Sequence, residues 1–371
     1  MMKLHLLGLP HTISNAAHSH CAFTEKIRML AAMMTNLGHE VIHYGVEGAE
    51  TKATEQVDLL TQREQSLLRG HDGSDPSRFY DADVEVDNAL FREFNRELRV
   101  ALEERVEPGD LVLCPFGHGH QAALKGHEYT LVESGIGYPH LYKDAPWKIF
   151  DSYAWMHFHQ GKADRNGMYS EWVVPNGFDP DAWKAELDPP KDTVVFLGRI
   201  GEVKGMNVVW ELAKMRPDLH FVLCGQGDPK RWLTLPNLEY RTPISGTERS
   251  AYFGQALACL TPTQFVEPFN LVAVESQMCG TPVISTDFGG FTETIEHGVT
   301  GFRCHTLGDY LAALEGAESL DRSRIAAQAR TKFGMDVVAK TLEGVLRQIR
   351  DAAQGQGWNT LRSLIGPSCP E

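Results

Sequence analysis

Short apolar runs alternate with longer amphipathic ones along most of the chain, which is the pattern of strand followed by helix. Residues 3–8 read as a strand, 22–37 as a helix closed by Gly38, and 40–44 as the next strand, a βαβ opening. From 45 to 83 the pattern is polar and irregular. Helical spacing survives there only in pieces such as 57–68, and HDGSDPS at 71–77 is turn chemistry, so an excursion over the surface is expected. Helical spacing resumes over 84–106 and stops before Pro-Gly-Asp. Residues 111–116 and 131–137 then read as buried strands, and the aromatic-rich run 147–159 fits strand or helix. A strand at 172–177 ends in Pro-Asn-Gly. Beyond it, strands are expected at 193–197, 220–224, 238–241, 258–261 and 282–285, with helices between them such as 208–215. The tail from Leu307 is mainly helical and closes with 336–353. Strands this apolar, alternating with helices, belong to parallel sheets covered on both faces.

The 371 residues, 42% of them apolar, suffice for two cores. A formal net charge of -14 removes the broad basic footprint of avid nucleic-acid or anionic-membrane binders. Seven scattered cysteines without a C-x-x-C pair suggest neither a disulfide framework nor a zinc knuckle, and imply a reducing, cytoplasmic setting. The apolar run near the N-terminus is too short for a signal segment and is stopped by Pro10, and no run approaches a membrane span.

The stretch with the densest chemistry is 265–301, FVEPFNLVAVESQMCGTPVISTDFGGFTETIEHGVTG. Asn270 caps a helix that begins with Leu271 and Val272, whose first amides attract anions. Glu267 lies just ahead of that helix and Glu275 a turn or so inside it, so both carboxylates face one cleft. Amide donors combined with two acceptor-only carboxylates match a ligand carrying phosphate and several hydroxyls, such as a nucleotide sugar. The plainer reading is that the two acids complement the helix dipole. A second cluster, GRIGEVKG, places Arg199 and Lys204 in the loop after a strand, where two cations can clamp a diphosphate. It is neither a Walker A loop nor a dinucleotide fingerprint. Gly225 and Gly227 would let backbone approach a ligand closely, and the Gly289/Gly290 turn could present amides to it.

The first half is richer in histidine. His11, His18 and His20 lie in the long turn after the first strand, beyond a strand C-terminus where open α/β sheets bind ligands. His118 and His120 flank Gly119 after another strand, and Glu133 closes a third. A histidine there removes an acceptor proton, orients a hydroxyl or simply bonds within a packed turn. His11, His120 and Glu133 are the acceptor-side candidates. The paired histidines are spaced by two, unlike the ligands of a zinc helix, so no metal is expected.

EPFNLVAVE, followed by CGTPVISTDFGG and GVTGF, resembles the E-x7-E signature of family 4 glycosyltransferases. GRIGEVKG is similar to that family's G-R-x(n)-K-G segment, and VVPNGFD to its entry into the second domain. The resemblance implies an α/β GT-B fold, two Rossmann-like doubly wound parallel-sheet domains facing across a cleft. It implies domains at 1–172 (acceptor) and 173–345 (nucleotide sugar), with a tail at 346–371 crossing back through 358–365. It further implies retaining transfer from a UDP- or GDP-sugar to a small-molecule, glycan or protein acceptor, without cofactor or metal. Arg199 and Lys204 would hold the diphosphate, Glu267 the sugar, Glu275 the ribose, the turn around Ile244 the base, and His118 would assist at the acceptor. Two departures stand out: GLPHT replaces the usual Gly-Gly of the first loop, and Phe291 replaces a frequent Pro. A phosphorylase-like or sugar-phosphate synthase reaction and a non-catalytic nucleotide-sugar module are the alternatives.

Overall fold

In the computed structural model, which describes residues 1–19, 21–69, 86–190, 192–242, 244 and 247–356, the apolar runs build two parallel sheets. The first holds β1 (Lys3–Leu7), β2 (Glu40–Val46), β3 (Glu55–Leu60), β4 (Leu111–Leu113), β5 (Thr130–Ile136), β6 (Trp147–Phe150) and β7 (Glu171–Val173) in the order β3-β2-β1-β4-β5-β6-β7. The connecting helices are α1 (Ala22–Asn36), α2 (Gln62–Arg69), α3 (Ala89–Arg105), α4 (Gln121–Leu124) and α5 (Tyr153–Lys162). The second sheet holds β8 (Thr193–Leu197), β9 (His220–Cys224), β10 (Leu238–Arg241), β11 (Ala258–Thr261), β12 (Val283–Thr286) and β13 (Gly301–Cys304) in the order β10-β9-β8-β11-β12-β13. Its helices are α6 (Met206–Met215), α7 (Thr247–Gln255), α8 (Leu271–Met278), α9 (Phe291–Thr294), α10 (Leu307–Ala317) and α11 (Arg322–Phe333), and α12 (Met335–Asp351) follows. Both sheets are doubly wound. The strand order reverses between β1 and β4, and again between β8 and β11, which is where such sheets open crevices for ligands.

Two sequence expectations change. Residues 57–60 belong to strand β3 rather than to a helix, and α2 starts only at Gln62. The ambiguous run 147–159 is both things in succession, strand β6 and then α5, whose cap Ser152 accepts from the Trp155 amide. The expected turn at 71–77, His20 and the segment 358–365 lie outside the described residues.

The chain crosses between the sheets twice, side by side. After β7 it passes through 174–178, and it returns between α11 and α12. The Phe178 amide donates to the Phe333 carbonyl at 2.9 Å and the Met335 amide to the Phe178 carbonyl at 2.8 Å. The return comes at Gly334. Val338, Leu342, Leu346 and Ile349 of α12 are therefore buried in the same core as Leu4, Leu6, Ile27 and Val132 of the first sheet.

Candidate functional site

One wall of the cleft is made by the loops leaving β8 and β9 and by the start of α8. The Ile200 amide donates to the Gln226 carbonyl at 2.7 Å, which ties the first two loops together. Gly225 is needed for this. Its φ is 152°, and a Cβ there would overlap the Gly198 carbonyl oxygen, so glycine seats the loop that carries Arg199. At α8, Asn270 has the left-handed φ of 70° and its side chain accepts from the Ala273 amide at 2.9 Å. The Leu271 and Val272 amides lie in the first turn and have no acceptor within the helix.

A cavity of about 310 Å³ opens against this wall. It gathers Arg199, Lys204, Glu267 and Glu275 with the α8 start at Asn270, Leu271 and Val272, and it reaches Gly225 and Ile244. The residues flanking Ile244, Pro243 and Ser245, lie outside the described residues. The two motif acids differ in setting. Glu267 holds the Lys204 ammonium at 2.7 Å, and that ammonium also stands 4.6 Å from the centre of the Phe265 ring. Glu275 is only 2% exposed and is paired with Arg249, itself buried and lying over the Trp183 ring. Burial pushes the Glu275 carboxyl up to about 6 against the opposing pull of Arg249.

The facing wall comes from the first domain. Ala22, Phe23 and Lys26 of α1 line it, and the Lys26 ammonium donates to the Gly135 carbonyl and to Asp151, each at 2.6 Å. Lys26, Asp151 and Arg249 were not singled out in the sequence. Arg249 sits in a polar stretch, GTERSAY, that reads as an exposed helix, and its inward turn is visible only once Glu275 is in place.

Other candidates lie elsewhere. Gly289 and Gly290 do not face the cavity. The Gly290 amide donates to the Glu267 carbonyl at 2.7 Å, so this turn braces the Glu267 loop instead of offering that amide to a ligand. His120 is fully buried beside Phe94, and burial lowers its imidazole to about 3, which corrects its assignment to the acceptor side. Glu133 is also buried. It accepts from the Tyr138 hydroxyl and the Tyr142 amide, both at 2.9 Å, and pairs with Lys148 at 3.1 Å, so it braces the first domain and is no cleft group. His118 is half-buried beside His140, and burial and that neighbour lower its pKa. It does not line this cavity but stands behind it, against Phe116, which packs on Phe23. His11 is buried and shares a hydrogen bond of 3.2 Å with the Cys21 thiol at the start of α1. Although burial opposes it, His11 brings that thiol down to about 7. Among the described residues no group of three or more His, Cys, Asp or Glu side chains is arranged to hold a metal ion, and no helix is long and apolar enough to cross a membrane.

Comparison with known proteins bears on this geometry. Residues 178–334 match the family model of glycosyl transferases group 1. A D-inositol 3-phosphate glycosyltransferase of Paenarthrobacter aurescens (strain TC1) is 30% identical over 190 residues, which cover 45% of this chain and 46% of that protein. The chain spans about half the length of the curated relatives it matches. Among solved structures, a sucrose-phosphate synthase from Thermosynechococcus elongatus superposes with a TM-score of 0.72 at 14% identity, covering 95% of this chain and all of the other. The Anabaena protein Alr3699/HepE, in complex with UDP and glucose, gives 0.65 at 15% identity, covering 94% of this chain and 100% of that one. The fold is GT-B.

Proposed function

We propose that the protein is a glycosyltransferase that moves a sugar, with retained anomeric configuration, from a nucleoside diphosphate sugar to an acceptor held by its first domain. One observation carries the reading: a single cavity between the domains collects two cations, the open end of a helix and two carboxylates. The diphosphate lies between Arg199, Lys204 and the Leu271 and Val272 amides, which neutralise charge as it departs. Glu267, holding Lys204, accepts from the sugar hydroxyls, and Glu275, balanced by Arg249, accepts from the ribose diol. The Anabaena relative was solved with UDP and glucose, which makes a UDP-sugar the first donor to try. In the transfer step the acceptor oxygen bonds to the anomeric carbon as the bond from that carbon to the phosphate oxygen breaks. The electron pair leaves with the diphosphate, and the acceptor proton passes to a departing phosphate oxygen. Charge is supplied by side chains and amides, so the step runs without a resident metal or cofactor. His118 acts on the acceptor side, one ring behind the cavity wall.

The test is incubation with UDP-, GDP-, ADP- and TDP-sugars in the presence of candidate acceptors, followed by free nucleoside diphosphate. One base is expected to be turned over, and Lys204→Ala to lower the rate by roughly a hundredfold or more. Failure of every donor to bind, or full activity in Lys204→Ala, would overturn the reading.

A further inference from the structure

A second cavity, about 250 Å³, lies on the hinge side of the donor cavity between α1, the 174–178 crossing, Trp183 and α8. Asp151, Asn176, Arg249 and Glu275 line both cavities, whereas Ser134, Phe178 and Trp183 line only the hinge one. Three of these side chains are more than nine-tenths buried yet keep a polar atom without a partner. They are Ser134 Oγ (1% exposed), Asp151 Oδ1 (4%) and Arg249 Nε (6%). Asn176 Nδ2 is a fourth buried atom without one. Buried polar groups are nearly always satisfied in native proteins, so four around one cavity mark an absent partner.

The chemistry of that partner can be read from the atoms it must satisfy. Asp151 Oδ1 requires a donor, Arg249 Nε and Asn176 Nδ2 require acceptors, and the Ser134 hydroxyl takes either. The charges of the wall exclude an anion. Lys26, Arg28 and Arg249 are already paired with Asp151, Glu25 and Glu275, and Asp179 adds a further carboxylate. The remaining wall is apolar, with Met33, Leu342, Phe178 and the Trp183 indole offering a flat surface. A neutral ring whose edge carries hydroxyls, each both donor and acceptor, and whose face is apolar meets all three requirements. We propose that the hinge cavity binds a single neutral sugar or cyclitol ring. The volume lies just below the roughly 300–1,000 Å³ typical of small-molecule sites, which suits one ring and not a chain of them. Because its walls come from both domains, the bound ring bridges the hinge. The inference goes beyond the transfer reaction and does not require it.

The experiment titrates the full chain with glucose, galactose, mannose and myo-inositol in turn, read by saturation-transfer NMR and calorimetry, with and without UDP. Two variants accompany the wild type. Ser134→Ala removes a hydroxyl that bonds to nothing in the protein, so the fold is expected to persist, and Trp183→Leu removes the flat wall. At least one ring is expected to bind in the millimolar range or tighter, and Ser134→Ala to weaken it about three- to tenfold. Addition of a nucleoside diphosphate sugar separates the two sources of such a ring. Glycosylation of the bound ring makes it the acceptor, and altered donor turnover without that product makes it an effector. Either outcome supports the site. If no ring binds, or if both variants bind it as the wild type does, the proposal fails, whether or not glycosyl transfer is found.

Discussion

At Glu275 burial raises the carboxyl to about 6 while Arg249 pulls it back, and the balance sets a pH dependence. The folded value exceeds the ordinary 4.5, so the proton is held more tightly in the native state. Its contribution to stability is therefore complete below about 4.5 and is lost as pH rises through about 6. A shift from 4.5 to about 6 is worth about 2 kcal/mol at 1.36 kcal/mol per unit. Urea denaturation of wild type and Glu275→Gln should show the variant gaining about 2 kcal/mol relative to wild type between pH 4.5 and 7. A constant difference across that window would refute the assignment. The same pair makes a second prediction. Arg249→Met leaves a buried carboxylate uncompensated and should cost about 3–5 kcal/mol at pH 7, less at pH 5, with Glu275→Leu added in the same chain recovering most of it. A loss that neither the second substitution nor acid repairs would point to packing around Trp183 and not to charge.

Among the elements, α8 carries most of the proposed donor groups, and its entry depends on one residue. Asn270 combines a left-handed backbone with a side-chain cap on the Ala273 amide. Asn270→Ala should cost about 1–2 kcal/mol, since it loses the cap and strains the backbone, while Asn270→Gly, which relieves the strain, should cost only a few tenths. Chemical denaturation decides, and equal costs would mean that the left-handed backbone at this position carries no strain. This cap was legible in the sequence, as were β9, β10 and β11, because apolar runs bounded by polar turns have few alternative placements. Strand β3 was not. It is an edge strand with polar residues outward, and its apolar Val57, Leu59 and Leu60 continue into Leu67 and Leu68 with helical spacing. The misplaced site residues share one cause. A polar side chain at a strand end faces either the cleft or the core, and the choice rests on partners distant in sequence: Lys148 on β6 for Glu133, Phe94 on α3 for His120. Arg249 was hidden for the same reason, since only Glu275 draws it inward. The motif acids and cations needed no such partner to be noticed, because their resemblance to the motifs of family 4 glycosyltransferases carried the signal.

Across the whole molecule, the chain crosses between the domains at 174–178 and again at 334, and contacts between α5 and α9 add a further link between them. The Glu293 carboxylate of the second domain accepts from the Tyr153 and Ala154 amides at 3.0 and 2.7 Å, capping the N-terminus of α5 in the first. Beside it the Ser152 hydroxyl donates to the Pro268 carbonyl at 2.5 Å, one residue from Glu267. These bonds link the first domain to the loop that carries Glu267. If the transfer step needs the closed cleft, Glu293→Ala should lower kcat about tenfold or more while leaving UDP affinity near wild type, because the groups proposed to hold the diphosphate, Arg199, Lys204 and the α8 amides, all belong to the second domain. Small-angle scattering should show a larger radius of gyration for the variant, and Ser152→Ala should move both readouts in the same direction by less. The neutral Glu293→Gln retains an acceptor for the two amides and should recover part of kcat. An unchanged scattering curve would remove the clamp from the argument. A parallel loss of UDP affinity would instead place the effect in the Glu267 loop, through the adjoining Gly289 and Gly290 turn that supports it.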